Sequence, residues 1–145
     1  MEIEIMEDES MKDEMMEDQS MEDKKSQIGT IISADLTVDH ADDVRDFYEQ
    51  VIGWEHMDIK MGDYSDYLMQ TKEGIPVAGV CHQAGPNAGL PPIWMVYFQV
   101  EDLEKSLQTV RRLGGKVIRE PAGMSYGNFA VIEYPVGAIC ALSQI

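Results

Sequence analysis

Two short stretches carry side chains of mixed chemistry at alternating positions. In the first, Ser33, Asp35 and Thr37 alternate with Ile32, Ala34, Leu36 and Val38; in the second, Met95, Tyr97 and Gln99 alternate with Val96, Phe98 and Val100. Alternate residues of an extended chain share a face, so each trio projects from one side of its strand. A hydroxyl, a carboxylate, a thioether, a phenol and an amide together suit an organic ligand lodged in a cleft. Asp35 has the widest chemical range of the six. In a partly apolar cleft a carboxylate pairs with a cation or accepts a proton as a general base. A plain hydrogen bond from a neighbouring hydroxyl or water to Asp35 is an equally economical reading. Trp94, Tyr97, Tyr126 and Tyr64 offer flat or cation–π surfaces, and each of them also suits a core or sheet edge.

The remaining reactive groups are sparse. His40, His56 and His82 share no local ligand spacing, and the two cysteines, Cys81 and Cys140, lack the C-x-x-C pattern of a zinc or redox motif. Buried thiols in a reducing compartment are expected for both. Cys81 and His82 are adjacent, which suggests a nucleophile and base, but neighbours on a strand point to opposite faces. His40 is expected as an exposed neighbour of a helix cap and His56 on an exposed strand edge. A spatial site joining His40, His56 and Asp35 stays open, and no catalytic residue is assigned.

The elements that position these groups follow from periodicity. Ile31 to Val38 reads as a strand. Asp39 to Asp43 supplies cap and first-turn carboxylates for a helix with Val44, Phe47, Tyr48 and Val51 on its apolar stripe, closed by Gly53. Strands at Trp54 to Met61, Tyr64 to Thr71 and Ile75 to Cys81 follow. Gln83 to Pro92, rich in glycine and proline and without periodicity, is a linker. The order then restarts: a strand through Met95 to Val100, a helix carrying Leu103, Leu107, Val110 and Leu113, and strands at Lys116 to Arg119, Phe129 to Glu133 and Ala138 to Leu142. The shift that places Val38 on Val100 also places Asp39 on Glu101, Val51 on Leu113 and Gly53 on Gly115. A unit of this size cannot bury its sheet alone. The expected fold is α+β: two tandem βαβββ modules, residues 28–82 and 93–143, forming one curved eight-stranded mixed sheet around a cleft, with the helices outside.

Charge divides the chain differently. Its 145 residues hold 27 acids and 11 bases, a formal net charge of −16. Residues 1–25 hold 11 of the acids and three lysines within a degenerate MEDES, MEDQS, MEDKK repeat. With little apolar surface and much like charge, residues 1–27 are expected to form a disordered acidic, Met-rich tail or at best a frayed helix, leaving 28–145 as the domain. The tail's methionines could ligate Cu(I), but no Cys or His accompanies them. An acidic surface disfavours nucleic acid and anionic membranes as partners. The absence of a long apolar run or basic leader points to the cytoplasm.

Three segments carry a family resemblance: DFYEQVIGW (Asp46 to Trp54), VEDLEKSLQTVRRLGGKV (Val100 to Val117) and YPVGAICAL (Tyr134 to Leu142). Over residues 28–143 the chain resembles the vicinal oxygen chelate superfamily, which includes glyoxalase I, extradiol dioxygenases, methylmalonyl-CoA epimerase and bleomycin-resistance proteins. The resemblance implies the paired-module fold, frequent homodimerisation, and in the superfamily's enzymes a divalent metal in the cleft. Carried across, the metal-ligand positions fall on Ser33, Met95, Ala141, and Ala78 or Gly79. A thioether, a methyl and one hydroxyl cannot hold a hard divalent cation. The Asp-Pro-x-Gly turn of many relatives reads Tyr134-Pro135-Val136-Gly137 here.

The expected function is therefore metal-independent binding of a small cationic or aromatic molecule in a cleft lined by Ser33, Asp35, Thr37, Met95, Tyr97 and Gln99, with no cofactor and with a homodimer as the assembly. One alternative is a metal-dependent lyase, isomerase or dioxygenase with a non-standard donor set. Another is a protein-interaction module whose acidic tail binds a basic partner.

Overall fold

The computed structural model describes residues 16, 21–121 and 128–144. Two alternating stretches become the central strands of the sheet. β1 (Ile31–Val38) leads through α1 (Ala41–Ile52) into β2 (Glu55–Lys60), β3 (Ser65–Gln70) and β4 (Pro76–His82). A 3-10 turn, Gly85–Asn87, lies in the linker. β5 (Trp94–Gln99), α2 (Leu103–Arg112), β6 (Lys116–Arg119), β7 (Phe129–Glu133) and β8 (Ile139–Ser143) repeat the order. The eight strands form one mixed, unclosed sheet in the order β2-β3-β4-β1-β5-β8-β7-β6. Each module is thus contiguous, and within the sheet the two meet at the antiparallel β1–β5 seam.

Both helices cover the same side of the sheet. Ala41 and Val44 of α1 pack on Tyr67, Met69 and Val80, and Leu103 and Leu107 of α2 pack on Ala130 and Leu142. The opposite side carries a third apolar cluster, Leu90, Met95, Val131 and Ala141, bordered by Tyr97 and Phe129. Alternation along β5 separates the two sides, since Phe98 belongs to the α2 cluster and Tyr97 to the opposite one.

The helix ends differ from each other. Asp102 caps α2 by accepting the Lys105 N–H at 3.1 Å. Asp102→Ala is expected to lower stability by about 1 kcal/mol in a denaturant titration. At α1 the cap is not Asp39 but His40, which takes the left-handed conformation (φ 54°) and makes no side-chain cap bond. Asp42 and Asp43 supply the first-turn acids, and Gly53, left-handed at φ 86°, closes the helix through its N–H to Glu49 O.

The apolar stripe of α1 is only half used. Phe47 and Val51 are 57% and 62% exposed, whereas Tyr48 packs against Trp54 and Trp94. The Trp94 indole N–H donates to the Tyr48 hydroxyl at 3.0 Å. Trp94 is in register with Leu36, so it tethers α1 to β5 on the helix side and does not face the cleft.

The described end of the acidic segment, residues 21–26, is helical, and Gly29 and Thr30 then hydrogen-bond the backbone of Gln99. The Met6–Ser10 repeat, most of the next repeat, and Tyr126 lie outside the described residues.

Candidate functional site

The seam fixes which polar residues meet. β1 and β5 pair Ser33 with Tyr97 and Asp35 with Met95, while β1 and β4 run parallel with Asp35 beside Gly79 and Thr37 beside Cys81. All of these lie on the face away from the helices. A register shift between Ile31 and Ser33 inserts one extra residue in β1. Ile32 therefore leaves the alternation expected of it and borders the same cavity as Ser33 and Asp35.

Asp35 is the centre of this face. Its carboxylate accepts hydrogen bonds from the Tyr97 hydroxyl, the Gly79 N–H and the Ser33 hydroxyl. Burial pushes its pKa above the ordinary carboxylate value, with the nearby Asp66 charge adding to the rise and the three hydrogen bonds opposing it. Burial also pushes the Tyr97 phenol and the Cys81 thiol up, and the Asp35 charge reinforces both shifts. Protons therefore stay on Tyr97 and Cys81, and Asp35 is the member of the group that ionises first. A cavity of about 200 Å³ opens beside it, bordered by Ile32, Ser33, Leu68, Gly79 and Cys81.

Gly79 makes the arrangement possible. A Cβ there would lie 2.5 Å from the Asp35 Oδ1 and 3.1 Å from its Cγ, inside contact distance. Glycine in the interior of a strand signals such a close approach, and that was the available clue in the sequence.

Of the six residues expected to line a cleft, Ser33, Asp35, Met95 and Tyr97 are brought together. Thr37 is buried further along β1 beside Cys81. Gln99 is also buried, at the end of β5, where its amide donates to Val100 O and its backbone pairs with residues 29 and 30. The histidines do not join Asp35. His56 does lie on an edge strand, β2, but its side chain is half-buried on the helix side, hydrogen-bonded to Glu49 of α1, and in register with Met69. His82 stacks near Tyr64 and Tyr67, its backbone N–H donating to Asp66 Oδ1 at 2.8 Å. Cys81 and His82 point to opposite faces, and both cysteines are free thiols.

Of the positions that the family resemblance assigns to metal ligands, only Ser33 carries an oxygen donor. Met95 and Ala141 are buried in an apolar cluster with Leu90 and Val131, and Gly79 has no donor side chain. Among the described residues no three His, Cys, Asp or Glu side chains are grouped to hold a metal ion.

A larger cavity of about 550 Å³ lies between the tip of β2, the Gly85–Asn87 turn and the β6–β7 edge. Its walls include Lys60, Tyr64, Asn87, Arg119 and Phe129. The Phe129 ring lies 5.4 Å from that of Tyr97, and the Arg119 guanidinium lies 4.8 Å from Phe129. None of Lys60, Asn87, Arg119 and Phe129 stood out in the sequence, because they come from four separate segments.

Comparison with known proteins agrees with this fold. The profile of the Glyoxalase/Bleomycin resistance protein/Dioxygenase superfamily matches residues 28–137. Putative glyoxylase CFP32 of Mycobacterium tuberculosis (strain CDC 1551 / Oshkosh) is 36% identical over 115 residues, 79% of this chain and 43% of the relative. Anthracycline biosynthesis protein DnrV of Streptomyces peucetius is 32% identical over 110 residues, 67% of this chain and 40% of the relative. The chain thus spans less than half the length of these curated relatives. Among solved structures, a Streptomyces coelicolor methylmalonyl-CoA epimerase variant in complex with 2-nitronate-propionyl-CoA aligns with a TM-score of 0.55 at 14% identity. That alignment covers 81% of this chain and 97% of the other. The Mycobacterium tuberculosis epimerase aligns with a TM-score of 0.51 at 16% identity, over 80% of this chain and 87% of the other. At these identities the structural likeness shows the fold alone.

Proposed function

The chain belongs to the glyoxalase/bleomycin resistance protein/dioxygenase superfamily, and from that premise we propose that it binds a small organic molecule in the cleft without a metal ion. The observation that carries this reading is the chemistry of the cleft floor. Of the metal-ligand positions that the resemblance implies, Met95 and Ala141 sit in an apolar cluster and only Ser33 offers an oxygen donor, and a hydrogen-bonded carboxylate, Asp35, faces the cavity beside them. Such a carboxylate, in a mostly apolar surround, suits a ligand that presents a cation or a hydrogen-bond donor at that end. The ring surfaces of Tyr97 and Phe129 suit a flat one. The name of the DnrV relative, which places that protein in anthracycline biosynthesis, supports an aromatic ligand as well. The chain's net charge of −16 adds a long-range preference for cationic partners. In this reading the protein works in the cytoplasm as a homodimer, with the exposed apolar residues of α1 the surface open to a second copy.

Metal analysis and calorimetric titration of Mn²⁺, Ni²⁺, Zn²⁺ and Fe²⁺ into the full chain test the metal-free reading. The expected result is no stoichiometric metal and no binding tighter than about 100 μM. EDTA should move the thermal midpoint by no more than about 1 °C, because a ligand that does not bind the native state cannot stabilise it. One equivalent of tightly held metal overturns the reading.

A further inference from the structure

The larger cavity has the opposite electrostatic character from the rest of the molecule. In a chain with 27 acids and 11 bases, two of the bases, Lys60 and Arg119, line one hollow of about 550 Å³ that no carboxylate among the described residues lines. That volume is within the range of small-molecule sites. The two cations arrive from different modules, Lys60 at the end of β2 and Arg119 at the end of β6. Neither is in an ion pair among the described residues, whereas Arg45, Lys105 and Arg111 are.

Arg119 is held in place rather than left to solvent. Its guanidinium stacks on Phe129 at 4.8 Å, and its Nη1 donates to Asn87 Oδ1 at 3.3 Å, a long bond to a neutral acceptor. A guanidinium carries five N–H donors in a planar fork matched to a carboxylate, and one long bond leaves most of that capacity for another acceptor. The opposite wall is set by Gly85, which takes φ +54° and packs so closely that a Cβ would lie 2.6 Å from the Tyr64 hydroxyl. Phe129, Tyr64 and Pro86 complete a lining with flat and apolar surfaces.

We propose that this cavity is a subsite for the carboxylate of an aromatic small molecule, paired with the Arg119 guanidinium and the Lys60 ammonium, its ring lying against Phe129 and Pro86. The proposal rests on the small-molecule reading and deepens it. Contacts lead from Asp35 through the Tyr97 hydroxyl and ring to Phe129 and Arg119, so one face offers a negative end, a flat aromatic middle and a positive end. A ligand that uses both ends is dipolar. The net acidity of the protein then works as a filter, repelling polyanions while one local pair of cations accepts a single negative group.

The test is calorimetry on the full chain at low salt with 2-naphthoate and its neutral counterpart 2-naphthamide. Naphthoate is expected to bind at least about tenfold more tightly than the amide. Arg119→Gln is expected to remove that preference, with naphthamide affinity unchanged within about twofold, and Arg119→Lys to retain part of it. Lys60 is exposed, so Lys60→Gln carries no folding burden and is expected to weaken naphthoate alone. Raising the salt concentration is expected to weaken naphthoate and not the amide. Equal binding of acid and amide, no binding of either, or full preference retained in a folded Arg119→Gln or Lys60→Gln protein overturns the subsite. None of these outcomes bears on metal dependence, which the divalent-cation titration decides separately.

Discussion

Asp35→Ala is expected to destabilise the protein by about 2–3 kcal/mol, whereas Asp35→Asn is expected to cost less than about 1 kcal/mol and to gain relative stability as pH rises. Alanine leaves the Gly79 N–H and the Ser33 and Tyr97 hydroxyls without their shared acceptor, on a face where water replaces it only in part. Asparagine keeps one carbonyl oxygen and removes the charge that burial disfavours. The pH dependence follows from the direction of the shift. Because the native pKa of Asp35 is raised, its stabilising contribution is fully present below the unfolded carboxylate value of about 4 and is lost as pH climbs through the native value. The stability difference between Asp35→Asn and wild type should therefore move in the variant's favour over that interval and level off above it. Urea titrations at a series of pH values check both claims, and a flat difference would show that Asp35 is not shifted upward in the native state. Both variants are expected to lose at least about tenfold in affinity for a ligand that meets Asp35 through a cation or donor.

Gly79→Ala should cost about 1–3 kcal/mol, through overpacking rather than backbone strain. The glycine has no left-handed conformation to protect, but the new methyl would overlap the Asp35 carboxylate, whose position is fixed by three donors. The sharper result is the double mutant. With Asp35 already shortened to alanine, the methyl introduced at position 79 has room, so the two costs should fall short of additivity by more than about 1 kcal/mol. Additive costs within error would place the damage of Gly79→Ala elsewhere, in the β3–β4–β1 pairing itself.

The module repeat was legible because it is written in local periodicity. The boundaries of β1, β6 and β7 coincide with the stretches read from alternation, and the other elements differ by a residue or two at their ends. What escaped was set by tertiary pairing. The extra residue at Ile32 exists only relative to β5, and a strand read alone shows unbroken alternation. The α1 stripe was visible, but which residues of it find a partner depends on where the helix settles, and Phe47 and Val51 are left exposed. In the site, Asp35 and Tyr97 were accessible because each lies on a patterned strand. Arg119 and Lys60 were not, since an isolated basic residue at the end of a strand looks like any solvated charge until two such ends are brought to one cavity.

The seam between β1 and β5 bears on the symmetry of the fold. Equivalent strands of the two halves pair antiparallel, with Ser33 opposite Tyr97 and Asp35 opposite Met95, so the pairing has the symmetry of a two-fold axis passing near Ala34 and Val96. A chain of half this length would expose β1 as an open edge, a template for further pairing. Two identical copies could close that edge against each other in this same register, because antiparallel pairing is self-complementary. In this chain one half sets a serine and an acid on the seam and the other a methionine and a tyrosine, so a backbone arrangement with two-fold symmetry carries a groove with two chemically different ends.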